Sequence, residues 1–298
     1  MKVKEIKSSS ILTKSNTPLG GYCANPYTGC PHGCRYCYAS FMSRFTGHTE
    51  QWGTYVDIKN WDPIKDPAKY NNEPILIGSV TDPYNPYEEE HERTKALLQQ
   101  LIGTTAKITI ITKSDLILRD MELLKNFKNN LVLAWSINTL DEKFKDDMDN
   151  ASSIKDRLNA MKKFHDAGFV TVCFISPIFP GITDVFEIIE RVKNQCDFMW
   201  LENLNLRGGF RTDILQYIAT KQPAAWPLFK EIYCDRNVTY WKNLEAEVEK
   251  YCKDNGLKLL NNHMPGGHSP KGKPTIINYL YHEEVKGTKN SGVRNTKP

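Results

Sequence analysis

Short apolar runs rich in β-branched residues alternate along this chain with longer segments in which apolar residues recur at three- and four-residue steps. The runs predict buried strands, and the longer segments predict amphipathic helices. Strands are predicted around residues 20–25 and at 75–79, 107–112, 131–137, 170–176 and 198–203. Helices are predicted at 90–102, 154–167 and 184–195, with a weaker candidate at 121–128. Such alternation is typical of a parallel α/β sheet.

The pattern amounts to six strand–helix units without a detectable sequence repeat, which are too few for a closed eight-stranded barrel. Residues 47–72, rich in Pro, Asp and Trp, predict an irregular insertion. A further region begins near Thr212. There we predict a helix at 240–252 with Thr239 as its N-cap, followed by a strand at 257–260.

The composition is that of an ordinary soluble enzyme. The chain has 298 residues, of which 40% are hydrophobic and 25% charged, and a chain of this size can bury a large core. Its first residues lack an apolar stretch of signal-peptide length, and no uncharged apolar run approaches the ~20 residues that span a bilayer. The absence of a secretory signal places the eight cysteines in a reducing compartment. We therefore expect a cytoplasmic protein with no membrane partner.

The net charge of +4 is concentrated at the C-terminus. Residues 271–298 hold six basic and two acidic residues, so this tail alone is +4 and the rest of the chain is neutral. A basic tail attracts polyanions, and nucleic acid is one candidate partner. The alternative is a solvated, mobile terminus. His263 and His268 flank a Pro-Gly-Gly turn before the tail, and this segment predicts a surface loop more readily than a metal site.

The segment Cys30-Pro-His-Gly-Cys34-Arg-Tyr-Cys37 carries the main chemical signal. Three thiolates at Cys-x3-Cys-x2-Cys spacing can ligate three corners of a 4Fe–4S cluster, which leaves one iron open to a small chelating molecule. The alternative is a closed zinc site with His32 or Cys23 as fourth ligand. Structural zinc sites usually pair two close cysteine doublets, and the sequence has no second Cys-x2-Cys.

The cysteine spacing resembles that of the radical S-adenosylmethionine (radical SAM) superfamily. With the flanks Asn25-Pro-Tyr-Thr-Gly before it and Tyr38-Ala-Ser after it, the segment is similar to the branch that contains spore photoproduct lyase, and also to the radical SAM mobile pair proteins. The resemblance covers roughly residues 5–210. It implies an α/β fold, a partial (β/α)6 TIM-type barrel, which we expect over residues 1–210. The sequence beyond it, residues 211–298, is expected to form a C-terminal extension with the basic tail.

This resemblance also implies cofactors and partners. Cys30, Cys34 and Cys37 would hold a 4Fe–4S cluster, and the amino and carboxylate groups of S-adenosylmethionine (SAM) would chelate its open iron. An external one-electron reductant of the flavodoxin or ferredoxin type would then drive cleavage of SAM to a 5′-deoxyadenosyl radical that abstracts hydrogen from a substrate. The substrate is a nucleic acid or nucleotide in one interpretation and a peptide or protein partner in a second. A third interpretation is a zinc-binding, nucleic-acid-binding module without catalysis.

Polar side chains at the carboxyl ends of the predicted strands are candidate SAM contacts, because reactive groups of parallel α/β barrels collect there. By resemblance Lys113 pairs with the methionine carboxylate, whereas ordinary packing is the alternative for Tyr36 and an exposed helix position the alternative for Arg157. The candidates at strand ends are Ser79, Thr81, Asp82, Lys113, Ser136 and Asn138, and two further candidates are Tyr36 of the cysteine segment and Arg157 early in the helix predicted at 154–167. The sequence singles out no catalytic residue.

Ser79 is a departure from the resemblance. Spore photoproduct lyase is expected to carry a cysteine hydrogen donor at this place, and a serine O–H bond is too strong for that role. We therefore expect the fold and the cofactors of that branch, but not the reversal of thymine dimers.

Overall fold

The computed structural model describes residues 1–15, 21–206, 209–260 and 276–277. The described residues form two sheets, one of eight strands and one of three. The strands are β1 (Lys2–Lys7), β2 (Leu12–Lys14), β3 (Tyr22–Ala24), β4 (Tyr27–Thr28), β5 (Tyr55–Asn60), β6 (Pro74–Ile77), β7 (Lys107–Thr112), β8 (Leu131–Ser136), β9 (Val170–Ile178), β10 (Phe198–Asn203) and β11 (Ile276–Ile277).

The large sheet has the order β2-β3-β6-β7-β8-β9-β10-β11. Its strands β3 and β6 to β10 run parallel to their neighbours, and these are the six strands that the sequence predicts. Strand β2 closes one edge in antiparallel orientation, and the two residues of β11 add to the other edge in parallel orientation. The predicted α/β class with six parallel strands is thus confirmed.

Helices connect the parallel strands, as predicted. They are α1 (Ser43–Thr46), α2 (Glu88–His91), α3 (Arg93–Leu101), α4 (Met121–Leu124), α5 (Glu142–Met148), α6 (Ile154–Asp166), α7 (Val185–Val192), α8 (Phe210–Lys221), α9 (Trp226–Tyr233) and α10 (Thr239–Asp254). Side-chain caps set several of the helix starts; for example, Ser153 accepts the Asp156 N–H at 3.0 Å before α6, and Asp184 accepts the Glu187 N–H at 2.9 Å before α7.

The helix predicted at 90–102 is divided in two, because Glu92 adopts a left-handed conformation with φ +49°. The carboxylate of Glu88, fully buried, accepts the backbone N–H groups of Thr94 at 2.8 Å and Lys95 at 3.1 Å. This side chain therefore caps α3 across the break. The apolar positions of the predicted helix all lie in α3 or directly after it, so their periodicity could not reveal the break.

The prediction of an irregular insertion at 47–72 is wrong for the central part of this segment. Strand β5 lies there, and it pairs with β1 in parallel and with β4 in antiparallel orientation to form the small sheet. Tyr55, Val56, Asp57 and Ile58 are consecutive buried residues. A strand that is covered on both faces lacks the alternation by which a half-buried strand is recognised.

The C-terminal helices share the core of the sheet. Ile214 of α8, Phe229 of α9 and Trp241 of α10 are fully buried, in the same hydrophobic cluster as the helix-facing side of the sheet. The division at residue 210 stays a prediction.

Two details of this C-terminal region differ from the prediction. Thr239 is not a cap but the first residue of α10, and its N–H binds the Asn237 side chain at 2.9 Å. The strand predicted at 257–260 is a single bridge between Leu259 and Met199.

Parts of the sequence prediction lie outside the described residues. They are Gly20, the histidines 263 and 268, and the basic tail apart from Ile276 and Ile277. Within the described part of the chain, no helix is long and apolar enough to cross a membrane.

Candidate functional site

The large sheet has an inner face opposite its helices, and this face forms a cavity at the carboxyl end of the strands. Successive residues of a strand face opposite sides. Phe174 of β9 and Trp200 of β10 therefore belong to an inner apolar cluster, and Ser136, Ser176 and Glu202 follow at the strand ends. These side chains line a cavity of about 360 Å³. Its floor is thus apolar and its rim polar.

The cysteine segment closes this cavity. Cys30, Cys34 and Cys37 all line it. Backbone hydrogen bonds of 3.1 Å, from Gly33 to the Cys30 carbonyl and from Cys37 to the Cys34 carbonyl, fold the segment into tight turns. Cys30 is buried, whereas Cys34 and Cys37 are half-buried. Both half-buried cysteines line the cavity, so they present exposed surface to it.

Polar side chains after β6 hold the segment in place. The Thr81 hydroxyl donates to the Gly29 carbonyl at 2.7 Å. Asn25 donates to the Ser79 hydroxyl at 2.9 Å and accepts the Val80 N–H at 3.0 Å. Ser79 and Thr81 line the cavity as predicted, but these hydroxyls also bind protein groups.

The three thiols fit a cluster better than they fit a single zinc ion. Among the described residues, no three His, Cys, Asp or Glu side chains converge closely enough to hold one metal ion. A tetrahedral zinc needs such convergence, whereas a 4Fe–4S cluster takes each thiolate at a different iron. His32 lines the cavity, and its Nδ1 lies 3.4 Å from an Asp82 oxygen. Cys23 lies on β3, outside the lining.

Burial raises the pKa of the Cys34 thiol well above its usual value and the pKa of the Cys37 thiol to about 11. A raised pKa means that these two thiols hold their protons more tightly, so iron binding must displace those protons. Burial alone would lower the pKa of His32. The neighbouring Cys30 and Asp82 outweigh this effect and raise it to about 10.

Asp82 connects the ends of β6 and β7. Its carboxylate accepts the Thr112 hydroxyl at 2.7 Å, the Lys113 N–H at 2.7 Å and the Tyr84 N–H at 2.9 Å. Burial raises its pKa, but His32 and these hydrogen bonds outweigh burial and lower it overall. Asp82 lines the cavity, yet its oxygens are largely occupied by protein donors.

Lys113 brings a cation to the cavity rim. Its Nζ lies 5.8 Å from the centre of the Tyr36 ring and forms no ion pair or hydrogen bond with any residue that the structure describes. The Tyr36 ring is buried beside Phe179, and its hydroxyl donates to Asp149 at 2.9 Å. Lys113 is therefore free to bind an anionic group such as a carboxylate.

Two of the predicted SAM contacts, Arg157 and Asn138, lie outside the lining of the cavity. Arg157 is fully buried, so it is not an exposed helix arginine either. Its guanidinium binds Asp149 at 2.7 Å, the Ser152 carbonyl at 2.8 Å and the Ser136 carbonyl at 3.2 Å, which leaves no fork for a ligand. Asn138 is buried outside the lining, and its amide atoms have no partner among the described residues. Ser136 itself lines the cavity.

Sequence reasoning missed Glu202 and Ser176. The Ser176 hydroxyl donates to Glu202 Oε2 at 2.6 Å, and both side chains line the cavity. Burial raises the pKa of Glu202, although Ser176 and Lys113 act in the opposite direction. The alternation of Phe198, Trp200 and Glu202 along β10 was the available signal, because it places all three on the inner face.

A larger cleft of about 630 Å³ lies elsewhere, between α5 and α8. Charged side chains such as Arg35, Asp141, Lys143 and Asp213 line it, and none of the cysteines does. We place the functional site in the smaller cavity, because that one joins the thiols to the strand ends.

Comparisons with known proteins agree with this placement. The family model of the radical SAM superfamily matches residues 24–192. An uncharacterized protein of Methanocaldococcus jannaschii is 30% identical over 259 residues, which are 85% of this chain and 98% of that protein. An uncharacterized protein of Acidianus two-tailed virus is 31% identical over 228 residues, 68% of this chain and 75% of that protein.

Among solved structures, a mutant of spore photoproduct lyase with dinucleoside spore photoproduct superimposes with a TM-score of 0.55 at 16% identity. The match covers 73% of this chain and 66% of that one. The chain thus spans just under two thirds of the lyase, and at this identity the likeness shows the fold alone.

Proposed function

Because this chain belongs to the radical SAM superfamily and is a radical SAM enzyme, we propose that Cys30, Cys34 and Cys37 hold a 4Fe–4S cluster and that SAM occupies the adjoining cavity. One observation carries the proposal: the three cysteines and the unpaired cation of Lys113 line the same cavity at the carboxyl end of the strands. Thiolates and a free cation are the groups that a cluster and a ligand carboxylate require.

Each part of the site has a task in this proposal. Lys113 binds the methionine carboxylate, while Ser79, Thr81 and Asp82 fix the cysteine segment against the end of β6 and border the ligand. Tyr36 and Ser136 complete the lining. When bound, the cluster and SAM supply reductive cleavage of the sulfonium to a 5′-deoxyadenosyl radical, with the electron delivered by an external reductant such as a flavodoxin or ferredoxin. The apolar floor excludes water and stray hydrogen donors from the reacting substrate.

A nucleic acid or nucleotide is the substrate class that we propose. The support is the likeness in fold to spore photoproduct lyase, a structure of which contains a dinucleoside photoproduct, together with the positive charge of residues 271–298. Thymine-dimer reversal is not proposed, because Ser79 stands where that branch is expected to have its cysteine donor.

The test is anaerobic reconstitution with iron and sulfide, then reduction in the presence of SAM and measurement of 5′-deoxyadenosine. The wild type should form it, and Cys34→Ala should lose it together with part of the bound iron. Cys234→Ser is the matched control, since Cys234 is exposed and outside the cavity. Cleavage that persists in Cys34→Ala, or stoichiometric zinc in protein purified without air, would refute the assignment.

A further inference from the structure

The segment that precedes β5 holds a side chain to which the proposed function gives no task. Trp52 lies between α1 and β5, and its indole N–H is buried without a hydrogen-bond partner among the residues that the structure describes. Buried donors nearly always have a partner, because an unpaired one has lost its water without compensation. The groups around this N–H therefore indicate what it serves.

The loop that carries Trp52 packs directly against the cysteine segment. Gly53 approaches Gly33 so closely that a Cβ on Gly53 would lie 2.7 Å from the Gly33 Cα. The indole meets the Tyr55 ring edge to face, with ring centroids 5.9 Å apart. Tyr55 is itself fully buried and stacks on His48 with centroids 3.8 Å apart. These contacts hold the indole in a fixed place beside the cysteines.

The sulfur next to this N–H is that of Cys37. Burial raises the pKa of the Cys37 thiol, and the Trp52 indole acts in the opposite direction, as a donor beside a sulfur does. The contact falls short of a full hydrogen bond, since a thiol is a weak acceptor, whereas a thiolate is a stronger one. Trp52 is not part of the cavity lining, so it reaches Cys37 through the protein and not through the space proposed for SAM.

From these contacts we infer that the Trp52 indole N–H donates to the Cys37 sulfur once that sulfur ligates iron, and that Trp52 thereby raises the reduction potential of the cluster. The inference rests on the proposed function and adds to it a residue that acts through Cys37. Trp52 touches neither SAM nor substrate in it.

The direction of the effect follows from charge. A reduced cluster carries one more negative charge than an oxidised one, and part of that charge lies on the cysteine sulfurs. A hydrogen bond to such a sulfur is therefore stronger in the reduced state and favours reduction. The step is the transfer of one electron from the external reductant to the cluster, and the indole keeps its proton throughout.

The experiment is a redox titration of reconstituted enzyme without SAM, in which the electron paramagnetic resonance signal of the reduced cluster gives the midpoint potential. Trp52→Phe keeps an aromatic ring and removes the N–H. Reduction should become about tenfold less favourable, which for one electron is a fall of about 59 mV in potential. Replacement of Trp52 by β-(3-benzothienyl)alanine keeps the shape of the indole, has sulfur in place of the N–H and should cause the same fall. This second variant decides the outcome if Trp52→Phe folds poorly.

Trp61→Phe is the matched control. The Trp61 indole N–H is also buried without a partner among the described residues, but Trp61 follows the opposite end of β5, where its ring lies 6.0 Å from the Arg93 guanidinium. This variant should have the wild-type potential.

The inference is overturned if the Trp52 variants keep the wild-type potential, if their potential rises, or if Trp61→Phe lowers the potential equally. Loss of iron from the Trp52 variants with an unchanged potential in the remaining cluster also overturns it, because Trp52 would then only support the fold. Wild-type enzyme that forms 5′-deoxyadenosine while the Trp52 variants keep its potential rejects this inference alone; wild-type enzyme that binds no cluster rejects the proposed function as well.

Discussion

Arg157 holds a positive charge in the interior next to the candidate site. Its main partner is Asp149, and both side chains are fully buried. Asp149 also accepts the hydroxyl of Tyr36, which lies between two of the cysteines. The pair therefore connects α6 to the cysteine segment, and its charges depend on each other because neither meets solvent.

We predict that Asp149→Asn destabilises the protein by about 3 kcal/mol, since removing one partner leaves the other charge buried and uncompensated. The midpoint of thermal unfolding should fall by several degrees. Asp156→Asn is the control, because Asp156 is exposed on α6, the helix that carries Arg157. An equal, small effect of both substitutions would show that the buried pair is not important for stability.

The stabilisation by Asp149 should depend on pH. Burial raises its pKa, but Arg157 and Lys113 outweigh burial, so the pKa is lowered in the folded protein. A carboxyl with a lowered pKa stabilises the fold above its unfolded value of about 4 and loses this effect as the pH falls. The difference in urea unfolding free energy between wild type and Asp149→Asn should therefore be largest near pH 7 and shrink below pH 4. A constant difference would contradict the assignment.

Lys113 makes a separate prediction about binding. Lys113→Gln should weaken the affinity for SAM about tenfold or more, because a charge-assisted hydrogen bond to the carboxylate is lost. The iron content should not change, since Lys113 is not a proposed ligand. Lys107→Gln, at the opposite end of β7, is the matched control. Equal SAM affinity of the Lys113 variant, measured by equilibrium dialysis, would exclude the pairing.

At the scale of elements, the cysteine segment depends on how closely it packs against β5. Gly29 has φ +83°, and a Cβ at this position would lie 2.3 Å from the Tyr55 carbonyl oxygen. Gly29→Ala should displace the segment, reduce bound iron and cost at least about 2 kcal/mol of stability. Gly47→Ala is the control: φ is +66° but no atom lies within 4 Å. It should bear only the backbone cost, about 1–2 kcal/mol, and retain its iron. Iron retained in Gly29→Ala would contradict this packing.

The sequence predicted those elements whose apolar residues form a local pattern, either periodic or continuous. In α6 the buried residues Ile154, Leu158, Met161 and Phe164 recur at three- and four-residue steps, and the parallel strands are continuous apolar runs. The prediction from sequence failed for β5, because this strand is covered on both faces and contains the buried Asp57. Burial there depends on β1 and β4, which come from distant parts of the chain, so no local pattern reveals it.

The residues of the candidate site also fall into those that the sequence could indicate and those that it could not. The cysteines, Asp82 and Lys113, which line the cavity, could be proposed from the sequence because their residue types and their places near strand ends are unusual. Glu202 and Ser176 were missed because each becomes significant only when β9 and β10 lie side by side. Arg157 was misplaced for the opposite reason, since its partner Asp149 lies in a loop whose position the sequence does not define.

At the scale of the whole molecule, the C-terminal helices support the cysteine segment. Arg35, which follows Cys34, binds Asp213 of α8 through two hydrogen bonds of 2.7 and 2.9 Å and lies 4.9 Å from the centre of the Tyr217 ring. The side chains of Arg35 and Asp213 are both partly exposed, so their contact orients the cysteine segment more than it stabilises the fold.

The apolar surface that α8 to α10 bury against the rest of the core decides whether residues 1–209 can fold alone. Six apolar side chains of α8 to α10 are completely buried against the rest of the core: Ile214, Ile218, Phe229, Ile232, Trp241 and Val248. At roughly 2 kcal/mol for each buried side chain, their contribution is on the order of 10 kcal/mol, comparable to the whole stability of a typical domain. We therefore predict that a chain ending at residue 209 aggregates. A chain ending at residue 277 retains every described element and should stay soluble with normal iron content. The measurement is size-exclusion chromatography with iron analysis, and a soluble, iron-loaded monomer of residues 1–209 would establish the barrel as an independent domain.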